Sequence, residues 1–294
     1  MEIIKLYFLV LLVFPAIFLS SYELHQEPVN GGLLRSISEV DRTRIELLFS
    51  TFVGKDPFAY VLFGDKPMAL SGGFRKQSWE SMLLNDAFGD LFWKRWETWK
   101  KYTLGVKFPN YLFLEENFSA FPSIRFIIFI NKKLFIKTIQ NHSDRFQEIT
   151  GSRLDPERLL LELENGKTSL QQAIHFNEEL LGILLGFGQL NASHYSRRQQ
   201  IKGPLLIPLA LDETPSDGFL SIEEEMTYLN DRLQFSSNED HALFKICPVE
   251  FVADINANET KVLCKKYRES RVRLCELYRD QSYVDVSLKQ LMEP

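Results

Sequence analysis

The chain has few of the residues that announce chemistry. It carries three cysteines, Cys247, Cys264 and Cys275, with no CxxC pair, which argues against a cysteine zinc site. None follows the hydrophobic N-terminus to take a lipid. On one helix Cys264 and Cys275 would share a face but stand about 16 Å apart, too far to bridge. Cys247 reaches one of them only if the fold allows, so at least one thiol has no partner within the chain. Buried free thiols are the expectation. There are five histidines, with neither an HExxH nor a GxSxG pattern. Positive charge is not in excess: the formal net charge of −5 argues against a general nucleic-acid binder, which needs a basic surface to displace counterions. Internal repeats and low-complexity tracts are missing too.

What is present is material for a core. The chain has 294 residues, 45% of them hydrophobic, and 24 are Phe. Aromatic side chains bury much area each, so a packed body is expected in place of disorder. The one long apolar run lies at the start. Leu6 to Leu19 has no charged side chain and contains Pro15. That is the length of a signal-peptide core. With Ile3 and Ile4 included and Lys5 snorkelling outward, it is just long enough to span a bilayer. Small residues are poorly placed for cleavage: a cut after Ser20 or Ser21 puts Phe18 or Leu19 at the −3 position. Residues 1–21 are therefore expected to be a signal peptide or an uncleaved anchor, with the body facing out and residues 3–19 meeting the membrane if uncleaved. A buried N-terminal helix is the bland alternative. Phe126 to Ile130 and Leu180 to Phe187 are too short to span and read as core elements.

Residues 22–36, with Pro28 and Asn30-Gly31-Gly32, read as a linker, and residues 37–294 as an extracytoplasmic domain. Ser38-Glu39-Val40-Asp41 resembles a capping box that opens a helix to Val53. Ala59 to Phe63 is strand-like, Gly64 to Pro67 a turn, and Met68 to Leu70 a returning strand closed by Gly72-Gly73. A helix is expected from Ser78 to Thr103, strands at Tyr111–Leu114 and Ser123–Ile130, and a helix from Asn131 to Thr150, stopped by Gly151. Asp155-Pro156-Glu157 starts another. Thr168 opens one to Phe187, Ser221 one to Leu233 and Asn258 one to Asp280. Ala242 to Ala253 reads as a strand broken at Pro248. Pro204, Pro208 and Pro215 mark a loop or subdomain joint at 201–217. Strands and helices do not alternate regularly, so the expected class is α+β, helix-dominated, with a small, mainly antiparallel sheet after an N-terminal hydrophobic helix.

The chemistry on offer is thin. Phe92 to Tyr102 (FWKRWETWKKY) combines aromatic and basic residues, which suits a membrane interface or a partner surface through Trp93, Lys94, Arg95, Trp96, Trp99, Lys100 and Lys101. The same spacing suits a helix with its aromatics in the core. Gly182, Gly186 and Gly188 point first to close helix packing, then to a turn that touches a ligand. Gly188 suits a left-handed helix end. His175 and Glu178 sit three apart, but no second copy of that pair completes a metal site. His142, His194 and His241 would serve as bases only if a nucleophile such as Ser71, Ser143 or Ser193 approached. Glu223 to Glu225 complement a helix dipole. No catalytic residue, metal ligand or cofactor is assigned. Four Asn-x-Ser/Thr triplets, at Asn117, Asn141, Asn191 and Asn258, matter only in a eukaryotic secretory route.

Two stretches carry a resemblance: Asp56-Pro-Phe-Ala-Tyr-Val-Leu-Phe-Gly-Asp-Lys-Pro67 and Leu180-Leu-Gly-Ile-Leu-Leu-Gly-Phe-Gly-Gln-Leu-Asn-Ala192. They resemble segments of uncharacterised exported proteins from chlamydia-like intracellular bacteria. The likeness implies a bacterial envelope or secreted setting and carries over no functional residue. The expected role is a non-enzymatic binding or interaction domain of the cell envelope, with an envelope protein or lipid as partner and no nucleic acid. The alternatives are an exported hydrolase with a site near His142 or His194, and a peripheral membrane binder using residues 92–102.

Overall fold

Glu39–Gly54 (α1) opens the body as an amphipathic helix. The Ser38 hydroxyl accepts from the Asp41 amide, and Ile45, Leu48, Phe49, Phe52 and Val53 face inward. This computed structural model describes residues 37–72, 79–118, 121–202, 214–236 and 245–294. The hydrophobic segment, the linker, most of the joint expected at 201–217, Gly73 and His241 lie outside the described residues. By its contacts the chain divides into residues 1–35 and 36–294, and everything below concerns the second unit.

After α1 come α2 (Phe58–Leu62), β1 (Met68–Ser71), α3 (Trp79–Thr103), β2 (Tyr111–Phe118) and β3 (Phe121–Asn131). Six helices follow: α4 (Lys132–Asn141), α5 (Ser143–Thr150), α6 (Pro156–Glu164), α7 (Leu170–Ala173), α8 (Glu178–Leu184) and α9 (Gln189–Lys202). Then come α10 (Ile222–Arg232), β4 (Leu233–Phe235), β5 (Val252–Asp254), α11 (Asn258–Leu277) and α12 (Tyr283–Met292). The class is α+β, helix-dominated, with a three-stranded antiparallel sheet in the order β1-β3-β2 and a separate antiparallel pair β4-β5.

Strand alternation gives the central sheet two unlike faces. Phe113 lies opposite Phe129 and Leu112 opposite Ile130, so aromatic and aliphatic pairs alternate. On one face Phe129 stacks against Phe58, Tyr111 and Phe113 at 4.3, 5.5 and 4.6 Å between ring centroids. Phe49, Phe52, Phe92, Trp96 and Trp99 of α1 and α3 join that aromatic layer. On the other face Met68, Leu112, Ile128 and Ile130 form one cluster with Phe135, Ile139, Phe146, Leu160, Leu180, Ile183 and Ala192 of the later helices. The sheet thus lies between two helical layers with one core on each side.

Four expectations need correction. Ala59 to Phe63 is not a strand: it falls in and just after the helix α2, and β1 pairs with β3 instead. Phe58 to Leu62 are all buried, and a short, wholly buried apolar run has no periodicity to separate strand from helix. The helix expected over 131–150 breaks at His142 into α4 and α5, and Gly151 ends α5 in the left-handed conformation. The helix expected over 168–187 breaks at His175 and Phe176, which have φ of 53° and 56°. Of the strand expected at 242–253, only Val252–Asp254 is extended and paired among the described residues. Two helices, α9 and α12, were not expected. Tertiary capping holds each start: Glu259 accepts from the Gln189 and Leu190 amides at 3.0 Å, and Glu46 from those of Tyr283 and Val284.

Candidate binding pocket

The segment that draws the eye in the sequence is mostly spent on the fold. Trp96 and Trp99 are 3% and 1% exposed, so they belong to the aromatic core and offer no membrane or partner surface. The Trp96 indole also donates to Glu115 at 2.8 Å. Trp93 is half-buried, and Arg125 stacks on its ring at 4.1 Å. Lys100 pairs with Glu97 and Glu115, and Lys101 with Asp41. Lys94 is exposed, and Arg95 is half-buried, its guanidinium pulled below the ordinary range by burial. The reason is geometric: α3 packs against α1, and Phe92, Trp96 and Trp99 fall on that side.

His142 and His194 find no nucleophile among the described residues. His142 Nδ1 lies 2.9 Å from Gln189 Oε1, and Ser143 shares its hydroxyl with Asp144. Burial holds the His194 imidazole below its ordinary pKa, and its Nδ1 has no hydrogen-bond partner. Ser71 donates to Asp56 at 2.6 Å, and the buried Asp56 carboxyl is raised to about 6. Among the described residues no hydrogen bond joins His142 or His194 to a Ser, Cys, Asp or Glu. His175 is exposed on the break before α8 and does not share a helix with Glu178. Among the described residues no three His, Cys, Asp or Glu side chains gather as a metal site. The three cysteines are free thiols, and burial pushes Cys247 up to about 12. Glu225 does more than complement a dipole: it is buried and paired with Arg197 through two contacts of 2.8 Å, which hold its carboxyl down at about 2.

The concave site lies elsewhere, where α7, α8, α9 and β5 meet. A cavity of about 300 Å³ is lined by Ile174, Leu181, Leu185, Phe187, Ala192 and Val252, with Phe176 and Tyr195 as further aromatic wall. Its backbone frame is set by glycines. Leu184 ends α8, and the Gly186 and Phe187 amides donate back to Ile183 and Gly182. Gly186, at φ 74°, is the left-handed residue of that Schellman turn, a place the sequence assigns to Gly188. Side chains are excluded on packing grounds too. A Cβ on Gly186 would stand 2.7 Å from the Tyr267 hydroxyl, and one on Gly182 2.8 Å from the Ala192 Cβ. The close α8–α9 approach expected of these glycines is therefore present. Gly188, at φ 88°, lets the Glu259 carboxylate reach the start of α9.

The polar groups around the cavity divide into used and unused. Asn191 is fully buried and engaged: its amide donates to the Phe187 carbonyl, and its Oδ1 accepts from the Asp254 amide and the Thr260 hydroxyl. Glu178 has neither a hydrogen bond nor an ion pair among the described residues, and burial raises its carboxyl above the ordinary range. Burial likewise raises the Tyr195 phenol, followed by the nearby Glu178 charge. Behind the wall sits Lys66, fully buried, its amine donating to the Leu185 carbonyl and lying 4.6 Å and 5.1 Å from the ring centres of Phe187 and Tyr267. Burial drags that amine down to about 7.

The lip is strained. His175 and Phe176 are consecutive non-glycine residues in the left-handed region, which costs on the order of 1–2 kcal/mol each. The result is a Phe176 ring held 49% exposed at the cavity edge. Sequence reasoning singled out the glycines as packing and missed the pocket. The available signal was an unpaired glutamate between Phe176 and an apolar run. A second hollow, of about 360 Å³, lies beside Ser143, Arg153 and Asp155, but Asp155 is occupied in capping α6. Among the described residues no helix is long and apolar enough to cross a membrane. Comparison with protein-family models, with curated proteins and with solved structures finds no match for this chain.

Proposed function

We propose that this chain is an exported or membrane-anchored binding protein whose body takes a small, largely apolar ligand in the cavity between α7, α8, α9 and β5. The observation that carries the reading is the cavity itself: about 300 Å³, walled by aliphatic and aromatic side chains and carrying few polar groups. That is the usual character of small-molecule sites. The strained Phe176 lip supports it, because local strain is retained where a ligand clamp repays it. Export rests on the apolar run Leu6 to Leu19. A hydrolase loses its motive, since His142 bonds to a glutamine and His194 Nδ1 to nothing.

The test is titration of the full chain with N-phenyl-1-naphthylamine, a neutral dye that brightens in apolar surroundings. Saturable 1:1 enhancement is expected, and Leu181→Trp, which fills the cavity, should remove it while the thermal transition persists. No saturable signal, or equal binding by the Trp variant, would overturn the reading. Export is checked separately by intact mass after expression in an exporting bacterium. A chain shortened by the leader in the periplasm, or a full-length chain in the membrane, is expected. A full-length chain in the cytosol would refute export.

A further inference from the structure

We infer that the ligand is amphiphilic and carries a cationic or strongly hydrogen-bond-donating nitrogen that seats against Glu178. This rests on the pocket reading above and specifies what it binds. Every other polar group on the wall is spent or weak. Asn191 is locked by three hydrogen bonds, to Phe187, Asp254 and Thr260. The Tyr195 phenol is coupled to Gln199 on its own helix. Gln171 is neutral and reaches the cavity from α7. Glu178 is the one carboxylic acid among the residues that line the cavity, and it has no ion-pair partner among the described residues. A carboxylate half-withdrawn from water beside apolar side chains pays for desolvation, and its place in the first turn of the short helix α8 offsets only part of that, since its carboxyl stays raised. A ligand ammonium would supply both the missing charge and the missing donors.

The surrounding chemistry favours the same class. Phe176, Phe187 and Tyr195 bring aromatic side chains to the same cavity as Glu178, and ring faces attract cations. Two basic groups sit on neighbouring elements: Lys66 is engaged, Arg198 keeps a buried Nε without a hydrogen-bond partner, and neither pairs with Glu178 among the described residues. Lys66 lies behind Leu185 and Phe187, its amine turned to the Leu185 carbonyl and the two rings. Arg198 stacks over the Tyr195 ring on the following turn of α9, at 5.7 Å. Burial raises the Glu178 carboxyl, and no ion pair joins it to either cation among the described residues. The remaining volume, walled by Ile174, Leu181, Leu185 and Val252, takes the hydrocarbon part of the ligand. An acidic amphiphile would meet the Glu178 charge head-on.

The experiment compares octylamine, octanol and octanoate as competitors of the neutral dye on the full chain. Octylamine should displace it best, by roughly tenfold over octanol, the worth of one charge-assisted hydrogen bond, and octanoate worst. The octylamine advantage should fade as pH falls through the raised Glu178 carboxyl, while octanol stays flat. Among the groups facing the cavity, only Glu178 titrates in acid; Tyr195 is held above its ordinary range and Gln171 and Asn191 carry no charge. Glu178→Gln should erase the amine preference, so that octylamine and octanol displace the dye about equally. If octanol binds but octylamine is no better, or if Glu178→Gln leaves the preference intact, the amine assignment falls and the pocket stands. If none of the three displaces the dye, or the dye itself does not bind, the pocket reading falls with it.

Discussion

Two parts of this protein are built from the same residue types and behave in opposite ways. Around α1, α2, α3 and one face of the sheet, Phe49, Phe52, Phe58, Phe92, Trp96, Trp99, Phe113 and Phe129 interlock at ring distances from 4.3 to 6.3 Å. Around α7, α8 and α9, Phe176, Phe187 and Tyr195 stand back from a cavity. The difference lies in the backbone. Long regular elements present side chains at fixed helical and strand spacings, so rings from facing elements mesh. Here the left-handed residues His175, Phe176, Gly186 and Gly188 break the helical repeat, so Phe176 and Phe187 are aimed separately from Tyr195 of α9 and a gap is left between them. Aromatic content therefore predicts neither core nor site; the regularity of the scaffold decides which it becomes.

The largest blow to this contrast would be a truncation in the meshed part. Trp99 is 1% exposed and contacts Phe49, Phe108 and Phe113. Trp99→Ala should cost about 3–5 kcal/mol, because the dense ring layer cannot collapse into the hole. Denaturant melts of the two proteins read the difference directly. A loss below about 1 kcal/mol would mean that this core is as loosely filled as the pocket.

Next in size is the buried amine behind the pocket wall. Lys66 would ionise near 10.5 in the unfolded chain and at about 7 in the folded one. Between those values the unfolded chain holds the extra proton, so stability from this group rises as pH climbs from about 7 toward 10.5. Below about pH 7 the full cost is present. Lys66→Met should remove the slope and stabilise the fold at pH 7 by on the order of 2 kcal/mol, less than the whole cost because the Leu185 carbonyl loses its donor. Thermal melts from pH 6 to 10 decide it. Equal slopes in both proteins would show that Lys66 is solvated in the native state.

The dry side has one polar seam, and it shifts the other way. Asp56, held by Ser71, titrates at about 6 in the fold against 3.8 for a free carboxyl. The folded chain keeps the extra proton in that window, so its contribution to stability falls as pH rises from about 4 to 6 and stays low above it. Asp56→Asn retains an oxygen for the Ser71 hydroxyl and removes the charge. A gain of about 1–2 kcal/mol is expected at pH 7.5 and none at pH 4. A loss at both would show that the carboxylate has an unseen partner.

What could be read from the chain follows the same division. The class, the β2–β3 pairing segments, the starts of α1, α6 and α10, and Gly151 as a stop are visible locally, because caps and breakers act within a few residues. The pocket is not, because its walls come from segments as far apart as Gln171 and Val252 and its breaks are non-glycine residues in a glycine conformation. FWKRWETWKKY suits by spacing both a helix with its aromatics in the core and a membrane or partner surface, and in the fold α1 packs on Phe92, Trp96 and Trp99. His175 and Glu178 read as neighbours on one helix, and the left-handed break at His175 and Phe176 separates them.

The smallest expected change in stability bears most on the contrast. Phe176 pays for its left-handed backbone and exposes half its ring, so in a protein built for stability alone it would be glycine. Phe176→Gly relieves the strain but frees the unfolded chain, and these effects oppose each other to within about 1 kcal/mol. The melting temperature should scarcely move. If the ring is a lip that closes over a ligand, affinity for the neutral dye should fall by roughly tenfold, since about that much follows from losing one aromatic wall of an apolar site. A variant that binds as the parent does would make Phe176 an incidental exposure. One that melts far lower would place it with Trp99, in the meshed half of the molecule.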